Sequence, residues 1–148
     1  MTFPILIETN VFVYSVGRAH PLRAPSREIL ALVRSNEQFF TNAEVFQELL
    51  HRYRSLKVWA TMRPYFDEFM SLMAGRIEPM LAEDVELAAD LAGRYPRLAA
   101  RDLIHIAVAQ RLGAPYIVTA DRAFDGVAGI ERLDPARIEE WRERALVT

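Results

Sequence analysis

The first apolar segment of the chain is short and ends abruptly in polar residues. Residues 4–7 are apolar, and an acid, a hydroxyl and an amide follow at Glu8, Thr9 and Asn10. An unbroken apolar run of this length is typical of a strand that is buried on both faces of a parallel sheet. The three polar residues then lie at the carboxyl end of the strand, where open α/β sheets bind their ligands. The pattern therefore predicts a functional edge that carries Glu8.

Strand-like and helix-like segments alternate along the rest of the chain. Apolar residues at helical spacing indicate the helices, and short apolar runs between turn residues indicate the strands. The predicted strands cover residues 4–7, 38–41, 77–80, 116–119 and 130–133, and the predicted helices cover 10–16, 25–35, 43–53, 57–73, 83–95, 99–109 and 135–145. This alternation favours right-handed crossovers between parallel strands. We therefore predict an α/β fold, a three-layer α/β/α sandwich around a central parallel sheet, in one domain over residues 1–148.

Local residue types indicate where several helices begin and end. Asn42 is the predicted N-cap of the 43–53 helix, and Gly113 is expected to close the helix that begins near residue 99. Pro64 lies inside the 57–73 helix and is a point at which that helix can divide in two. The 83–95 helix is expected to turn five residues toward the core, namely Val85, Leu87, Ala88, Leu91 and Ala92.

The segment 57–73 is more apolar than a surface helix requires. Aromatic residues and methionines recur along it at helical spacing, from Trp59 to Met73. One interpretation is that this stripe is ordinary core, and the other is that part of it forms a groove for a partner, since methionine and aromatic surfaces suit adaptable contacts. The sequence leaves both interpretations open.

Composition narrows the class of protein. Half of the 148 residues are hydrophobic, which excludes an intrinsically disordered chain. There is no cysteine, so disulfides and thiolate metal sites are excluded, and no apolar run approaches the ~20 residues of a membrane span. We expect a soluble, cytoplasmic protein that does not enter a membrane.

The net charge of −2 conceals a strong bias among the cations. Lys57 is the only lysine, so 17 of the 18 basic residues are arginine. Arginine can bind phosphate through two parallel hydrogen bonds, so the near-neutral total does not exclude a nucleic-acid substrate. The alternative is that these arginines are simply solvated surface residues.

Four acids are predicted to meet at the carboxyl edge of the sheet. Glu8 and Asp121 end strands, and Glu48 and Asp102 lie early in helices that begin at the same edge. Such a cluster repels itself unless a divalent cation occupies it, and oxygen ligands without a suitable histidine spacing favour Mg²⁺ or Mn²⁺ over zinc. Acids also favour helix N-termini because of the helix dipole, which remains an alternative account of the pattern.

Four motifs in this order resemble those of the PIN-domain ribonucleases, most closely the toxins of VapBC-type toxin–antitoxin pairs. Glu-Thr-Asn at residues 8–10 resembles the Asp-Thr-Asn that ends the first strand of that family. The helix that carries Glu48, the Arg-Asp-Leu-Ile-His run at residues 101–105 and the Thr-Ala-Asp run at residues 119–121 resemble the family's other acidic motifs. The resemblance implies cleavage of RNA with Mg²⁺ or Mn²⁺, a homodimer, and neutralisation by a cognate VapB-type antitoxin.

By this resemblance Glu8, Glu48, Asp102 and Asp121 are the catalytic and metal-binding residues. Asn10 and Thr119 are candidates to hold these acids in place without binding the metal themselves. Other polar residues near the motifs have two interpretations each. Glu44 is taken as a helix N-terminal acid, and Asp125 as a turn residue that can also reach the site. His105 can orient Asp102 or is a packed core histidine, and Arg101 and Arg122 either bind phosphate or compensate charge.

Position 8 departs from the family pattern. The family has Asp where this chain has Glu8, and one extra methylene displaces the carboxylate by roughly 1 Å, which can cost ~10²-fold in rate. Glu8 is therefore either a natural variant or an attenuating substitution. One alternative function is a catalytically dead PIN-like module that binds its antitoxin or RNA without cleavage.

Two other α/β classes fit the sequence less well. A phosphatase with an aspartyl nucleophile needs Asp at the positions of Glu8 and Asn10. A dinucleotide-binding domain needs a glycine-rich turn after a strand, and no strand here is followed by one.

Overall fold

The computed structural model describes residues 2–147 and contains five parallel strands. The strands are β1 (Ile5–Ile7), β2 (Phe39–Asn42), β3 (Ile77–Glu78), β4 (Tyr116–Val118) and β5 (Glu131–Leu133). The helices are α1 (Thr9–Ser15), α2 (Arg23–Ser35), α3 (Ala43–Ser55), α4 (Trp59–Leu72), α5 (Ala82–Ala92), α6 (Ala100–Arg111) and α7 (Ile138–Ala145). The predicted order of elements and the parallel sheet are confirmed.

The strand order β3-β2-β1-β4-β5 places β1 in the centre of the sheet. Along the chain, β2 and β3 are added on one side of β1, and β4 and β5 are then added on its other side. Open α/β sheets bind ligands where the order reverses in this way, outside the carboxyl ends of the strands. The residues that follow β1 and β4 are therefore neighbours at the reversal point.

The sheet separates two hydrophobic cores, which gives the three predicted layers. Ile5 and Ile7 of β1 point into the core under α1, α2, α3, α4 and α7. Leu6 points the other way, into the core under α5 and α6. Successive side chains of a strand face opposite sides, so a run that is buried on both faces has to be apolar throughout. This explains the unbroken apolar segment at the start of the chain.

Helix α4 differs from the expectation that Pro64 can divide it. It runs without a break from Trp59 to Leu72, with Pro64 inside. A proline removes the hydrogen bond to the carbonyl four residues earlier and its ring crowds that carbonyl, which here belongs to the first turn of the helix, so the disturbance stays near the helix start. Packing of Phe69, which is buried, then keeps the segment on the core.

Helix α5 is shorter and more exposed than predicted. It ends at Ala92 rather than Tyr95, and Leu87, Ala88 and Leu91 contact the second core as expected. Val85 and Ala92 are exposed instead. The face of α5 that contacts the sheet is narrower than the number of apolar residues in this helix indicated.

The predicted helix boundaries at Asn42 and Gly113 are confirmed. The side chain of Asn42 accepts a hydrogen bond from the Val45 backbone N–H, and Gly113 follows α6 with φ of +67°, a conformation that favours glycine. The helix predicted over residues 135–145 begins with a 3₁₀ turn at Pro135–Arg137 before α7. Within residues 2–147, no helix is both long enough and apolar enough to cross a bilayer.

Candidate active site

Glu8 lies at the carboxyl end of the central strand and is almost completely buried. It is also the N-cap of α1, and its Oε2 accepts hydrogen bonds from the Asn10 backbone N–H (3.3 Å) and the Thr119 hydroxyl (3.0 Å). Thr119 directly follows β4, the neighbour of β1, so these contacts join the two strands at the reversal point. One oxygen of the carboxylate is thus held by the protein itself.

Asn10 and Thr119 form a network behind Glu8. Asn10 Nδ2 donates to Thr119 Oγ1 (2.8 Å), and Asn10 Oδ1 accepts from the Ala120 backbone N–H (3.2 Å). Thr119 Oγ1 also accepts from the Asp121 backbone N–H (3.0 Å). A hydroxyl that accepts two bonds and donates one has no capacity left, so Thr119 fixes the turn that carries Asp121 relative to Glu8.

Glu48 comes to the same place from α3. Its Oε1 accepts a hydrogen bond of 2.7 Å from Nε2 of His105, which is fully buried in α6. The same nitrogen lies 4.0 Å from Oε1 of Glu8. His105 therefore stands between the two glutamates, and each of the three residues has one ligand atom within 4.8 Å of the others.

Asn42 determines which nitrogen of His105 carries the hydrogen. Its Oδ1 accepts from the Val45 backbone N–H (3.1 Å), which leaves its Nδ2 to donate to His105 Nδ1 (3.0 Å). Nδ1 is then the acceptor, and the ring hydrogen is assigned to Nε2, facing Glu48. A protonated Nε2 cannot bind a metal, so His105 acts as a hydrogen-bond donor that orients Glu48.

Of the two interpretations of His105, the packed core histidine is confirmed by its full burial, and the one in which it orients Asp102 is wrong because its ring bonds to Glu48. The carboxylate of Asp102 turns back along its own helix and accepts from the Ala99 backbone N–H (3.1 Å). That contact satisfies an otherwise unpaired N–H at the start of α6. His105 lies one turn further along α6, and its ring bonds to Glu48 of α3 instead.

Asp102 and Asp121 contribute to the same electrostatic field. Burial raises the pKa of Asp102, and the charges of Asp121 and Glu48 raise it further, against the Ala99 hydrogen bond and His105, which lower it. Asp121 caps the 3₁₀ turn Arg122–Phe124 by accepting from the Ala123 backbone N–H (2.9 Å). Glu8 and Glu48, with His105, have ligand atoms within 4.8 Å of one another, and Asp102 and Asp121 are not in that group.

The excess of negative charge is visible in the other pKa shifts. Burial raises the pKa of Glu8, and Glu48 adds to the rise while His105 opposes it. Burial lowers the pKa of His105, but its hydrogen bond to Glu48 and the surrounding carboxylates outweigh this and raise it. Both shifts follow from carboxylates held together away from water, an arrangement that a cation would stabilise.

Glu44, Asp125 and Arg122 were the other polar candidates near the motifs. Glu44 lies in the first turn of α3, as expected, and burial raises its pKa, with Glu48 and Arg101 near enough to contribute. Asp125 forms an ion pair with Arg132 (2.8 Å) at the end of the 3₁₀ turn, which agrees with its interpretation as a turn residue. Arg122 begins that turn and is exposed.

A cleft of about 450 Å³ leads away from Glu8 and Glu48 between α1 and α3. Arg101, half-exposed at the start of α6, stands on its wall with Nε 3.7 Å from Glu48 Oε2. His51 and Arg52 follow Glu48 along α3 and line the same cleft. The acids are thus open to solvent on a side that carries positive charge.

The donor set fits a hard divalent cation. Carboxylate oxygens of Glu8 and Glu48 face one space, and the assigned hydrogen on His105 Nε2 removes the only imidazole that could serve as a ligand in this cluster of described residues. Sites built from oxygen ligands suit Mg²⁺ and Mn²⁺, whereas zinc sites commonly use histidine or cysteine.

The site was predicted from its acids, but Asn42 and His105 were not recognised as its support. Asn42 was identified as a helix N-cap and His105 as a neighbour of Asp102. The sequence offered only two weak indications of their role, namely that Asn42 is polar at the end of β2 and that His105 lies on an otherwise apolar helix. Only the three-dimensional pairing of α3 with α6 connects the two.

Comparison with known proteins identifies the family of the chain. A model of the PIN domain matches residues 5–130. A VapC ribonuclease of Mycobacterium bovis is 36% identical over 130 residues, which cover 87% of this chain and 98% of that protein. Ribonuclease VapC23 of Mycobacterium tuberculosis is 42% identical over 120 residues, which cover 79% of this chain and 92% of that protein.

Solved structures share the fold at lower identity. FitAcB from Neisseria gonorrhoeae superposes with a TM-score of 0.70 at 20% identity, over 90% of this chain and 99% of that one. VapBC2 from Rickettsia felis, bound to a DNA fragment from its promoter, gives a TM-score of 0.70 at 17% identity, over 89% and 98%. With the family model and the VapC relatives, these findings show that the chain belongs to the PIN-domain family, in the branch whose members are named VapC.

Proposed function

We propose that this protein is a divalent-metal-dependent endoribonuclease and the toxin of a VapBC-type toxin–antitoxin pair. The observation that carries the proposal is the meeting of Glu8 and Glu48 at the reversal point of the sheet, where the charges of Asp121 and Glu48 also raise the pKa of Asp102. The VapC ribonucleases that the chain resembles support the RNA substrate.

In this proposal the four acids hold Mg²⁺ or Mn²⁺. When bound, such an ion lowers the pKa of water and offsets negative charge on a phosphate undergoing hydrolysis. His105 holds Glu48 through Oε1 and Thr119 holds Glu8 through Oε2, which leaves the other oxygen of each carboxylate for the ion. Arg101, which already faces Glu48, is close enough to attract the phosphate backbone into the cleft.

The function is tested by cleavage of labelled total RNA. We expect cleavage with Mg²⁺ or Mn²⁺, none after the metal is removed with EDTA, and recovery when Mn²⁺ is added back, because the acids cannot approach phosphate without a cation between them. New RNA ends are mapped by primer extension. Cleavage that persists at full rate in EDTA would contradict the metal-dependent function.

A second candidate is a PIN-like module that binds without cleaving. One observation favours it: Oε2 of Glu8 is engaged by the Asn10 backbone N–H and the Thr119 hydroxyl, so the carboxylate has an internal role in the fold. If metal-loaded protein binds RNA or its antitoxin but generates no new RNA ends, this candidate is correct and the nuclease is not.

We further propose that a VapB-type antitoxin binds along α4. Phe69 and Met73 are buried, but Tyr65 and Met70 are exposed, so part of the aromatic stripe is left uncovered by the chain itself. A groove of about 350 Å³ lies between α2 and α4, with largely apolar walls, Arg27 and Arg34 on the α2 side and Glu68 on the α4 side. An amphipathic antitoxin segment with acidic flanks fits such a groove.

Hydrogen exchange tests the partner surface. On addition of the cognate antitoxin we expect slower exchange in α4 and in the facing part of α2, because a bound helix covers their backbone amides. The α5 helix, on the other face of the sheet, serves as the internal control. Unchanged exchange in α4 within a complex of proven stability would exclude this surface.

The homodimer, the extension of one domain over residues 1–148 and the cytoplasmic location are part of the same proposal. They rest on the resemblance to the VapC toxins, and the VapBC complexes among the structures that share the fold support the antitoxin partner.

A further inference from the structure

We propose that the stacked rings of Tyr14 and His20 form a subsite for one base of a single-stranded RNA, next to the acids. This inference rests on the proposed ribonuclease function and adds to it a specific means of positioning the substrate. Nothing in the chemistry of the acids requires an aromatic pair at this place, so the pair is a separate observation.

Tyr14 is in the right position to meet a substrate that reaches the acids. It lies four residues after Asn10 on α1, so the two side chains share one face of the helix, about one turn apart. Both line the cleft that contains Glu8 and Glu48. When a phosphate of a single-stranded RNA lies at the acids, the base of the adjacent nucleotide would therefore reach Tyr14.

His20 extends this aromatic surface out of the cleft. Its ring stacks on that of Tyr14 with centroids 4.3 Å apart and planes inclined by 24°. His20 Nδ1 accepts a hydrogen bond from the Leu22 backbone N–H (3.0 Å), which fixes the ring orientation although the residue itself is exposed. An exposed aromatic ring that is held in place loses little entropy when a base stacks on it.

The opposite wall of the cleft provides charge for the backbone of the same strand. Glu48, His51 and Arg52 follow one another at helical spacing on α3, so Arg52 lies one turn beyond the catalytic glutamate. Aromatic rings on one side and arginine on the other are the combination by which proteins bind single-stranded RNA: bases stack, and phosphates meet the cations.

Fluorescence of a short single-stranded RNA that carries 2-aminopurine tests the subsite. The RNA is bound with Mg²⁺ to the Glu48→Gln protein, in which cleavage is expected to be at least about 100-fold slower, and stacking of the base appears as quenching of its fluorescence. We expect Tyr14→Leu and His20→Asn, each added to this background, to reduce the quenching and weaken binding by about 5- to 100-fold, the range for loss of one stacked base. Tyr14→Phe should retain both.

His20→Asn keeps an acceptor for the Leu22 N–H and removes only the ring, so it preserves the turn. Phe3→Leu is the matched control, because Phe3 is an exposed aromatic residue at the opposite end of β1. Circular dichroism verifies the fold of each variant. If Tyr14→Leu does not fold, His20→Asn alone decides, since an exposed ring is not needed for the core.

Two failures are distinguishable. Quenching and affinity at the parental level in folded His20→Asn would overturn the subsite, while wild-type cleavage of RNA would leave the proposed function standing. If the wild type neither cleaves nor binds RNA in the presence of metal, the proposed function is wrong and the subsite falls with it.

Discussion

Replacing Glu48 with Gln is expected to reduce metal-dependent cleavage of RNA by at least about 100-fold. The orientation of Glu48 is fixed by His105, whose Nε2 lies 2.7 Å from its Oε1, and Arg101 Nε lies 3.7 Å from its Oε2. A neutral amide cannot supply the charge that holds a divalent cation, and loss of one preorganised electrostatic group commonly costs ~10²–10³ in rate.

The variant should nevertheless fold. Gln retains a side-chain oxygen that can accept the hydrogen from His105 Nε2, and the change removes one of the charges that raise the pKa of Glu8 and Asp102. We therefore expect the thermal midpoint of the metal-free protein to be unchanged or higher, since repulsion among the acids is relieved.

Cleavage rates and Mn²⁺ affinity by calorimetry measure the effect. Glu86→Gln is the matched control, because Glu86 is exposed on α5 on the other side of the sheet. Asp102→Asn and Asp121→Asn should also weaken Mn²⁺ binding if all four acids belong to one site. A Glu48→Gln protein with wild-type cleavage and wild-type Mn²⁺ affinity would remove Glu48 from the metal site.

The order of strands and helices could be predicted from the sequence, because a strand that is buried on both faces of a sheet is apolar at every position. The runs around Ile5–Ile7 and Tyr116–Val118 are apolar at every position, and the sheet pairs them in parallel as neighbours. Their carboxyl ends then bring Glu8 and Thr119 together with no further information. Parallel pairing and the reversal of strand order convert two distant motifs into one site.

Side-chain direction was less predictable than placement. Asp102 and His105 lie one turn apart, so sequence spacing left a contact between them open, yet Asp102 caps its own helix and His105 bonds to Glu48. The choice depends on how α3 packs against α6, which is a tertiary property. The same holds for α5, where Val85 is exposed although its apolar neighbours are buried.

Position 8 is where the sequence and the geometry have to be considered together. Glu8 has the longer side chain where the family has Asp, and the fold uses that length: Oε2 reaches Thr119 while Oε1 remains 4.0 Å from His105, beyond hydrogen-bond distance. An Asp would still cap α1, since Asp is among the preferred N-cap residues. Its carboxylate would lie roughly 1 Å closer to the strand.

Shortening Glu8 to Asp is therefore expected to raise the rate of RNA cleavage by about 10-fold or more. The physical reason is that Mg²⁺ requires near-ideal octahedral geometry, and a ligand displaced by ~1 Å can cost ~10²-fold in rate. The matched control is Glu86→Asp, which removes the same methylene from an exposed helix position. Adding Glu48→Gln to the Glu8→Asp protein should abolish the gained activity.

Initial rates of Mn²⁺- and Mg²⁺-dependent cleavage of total RNA decide the result for the wild type, Glu8→Asp, Glu86→Asp and the double variant. Mg²⁺ should show the larger gain, because it tolerates misplaced ligands least. An efficient wild-type nuclease that becomes no faster with Asp at position 8 would mean that Glu8 is a competent ligand as it stands. If every variant, Glu8→Asp included, leaves RNA intact, the non-cleaving module is the correct function.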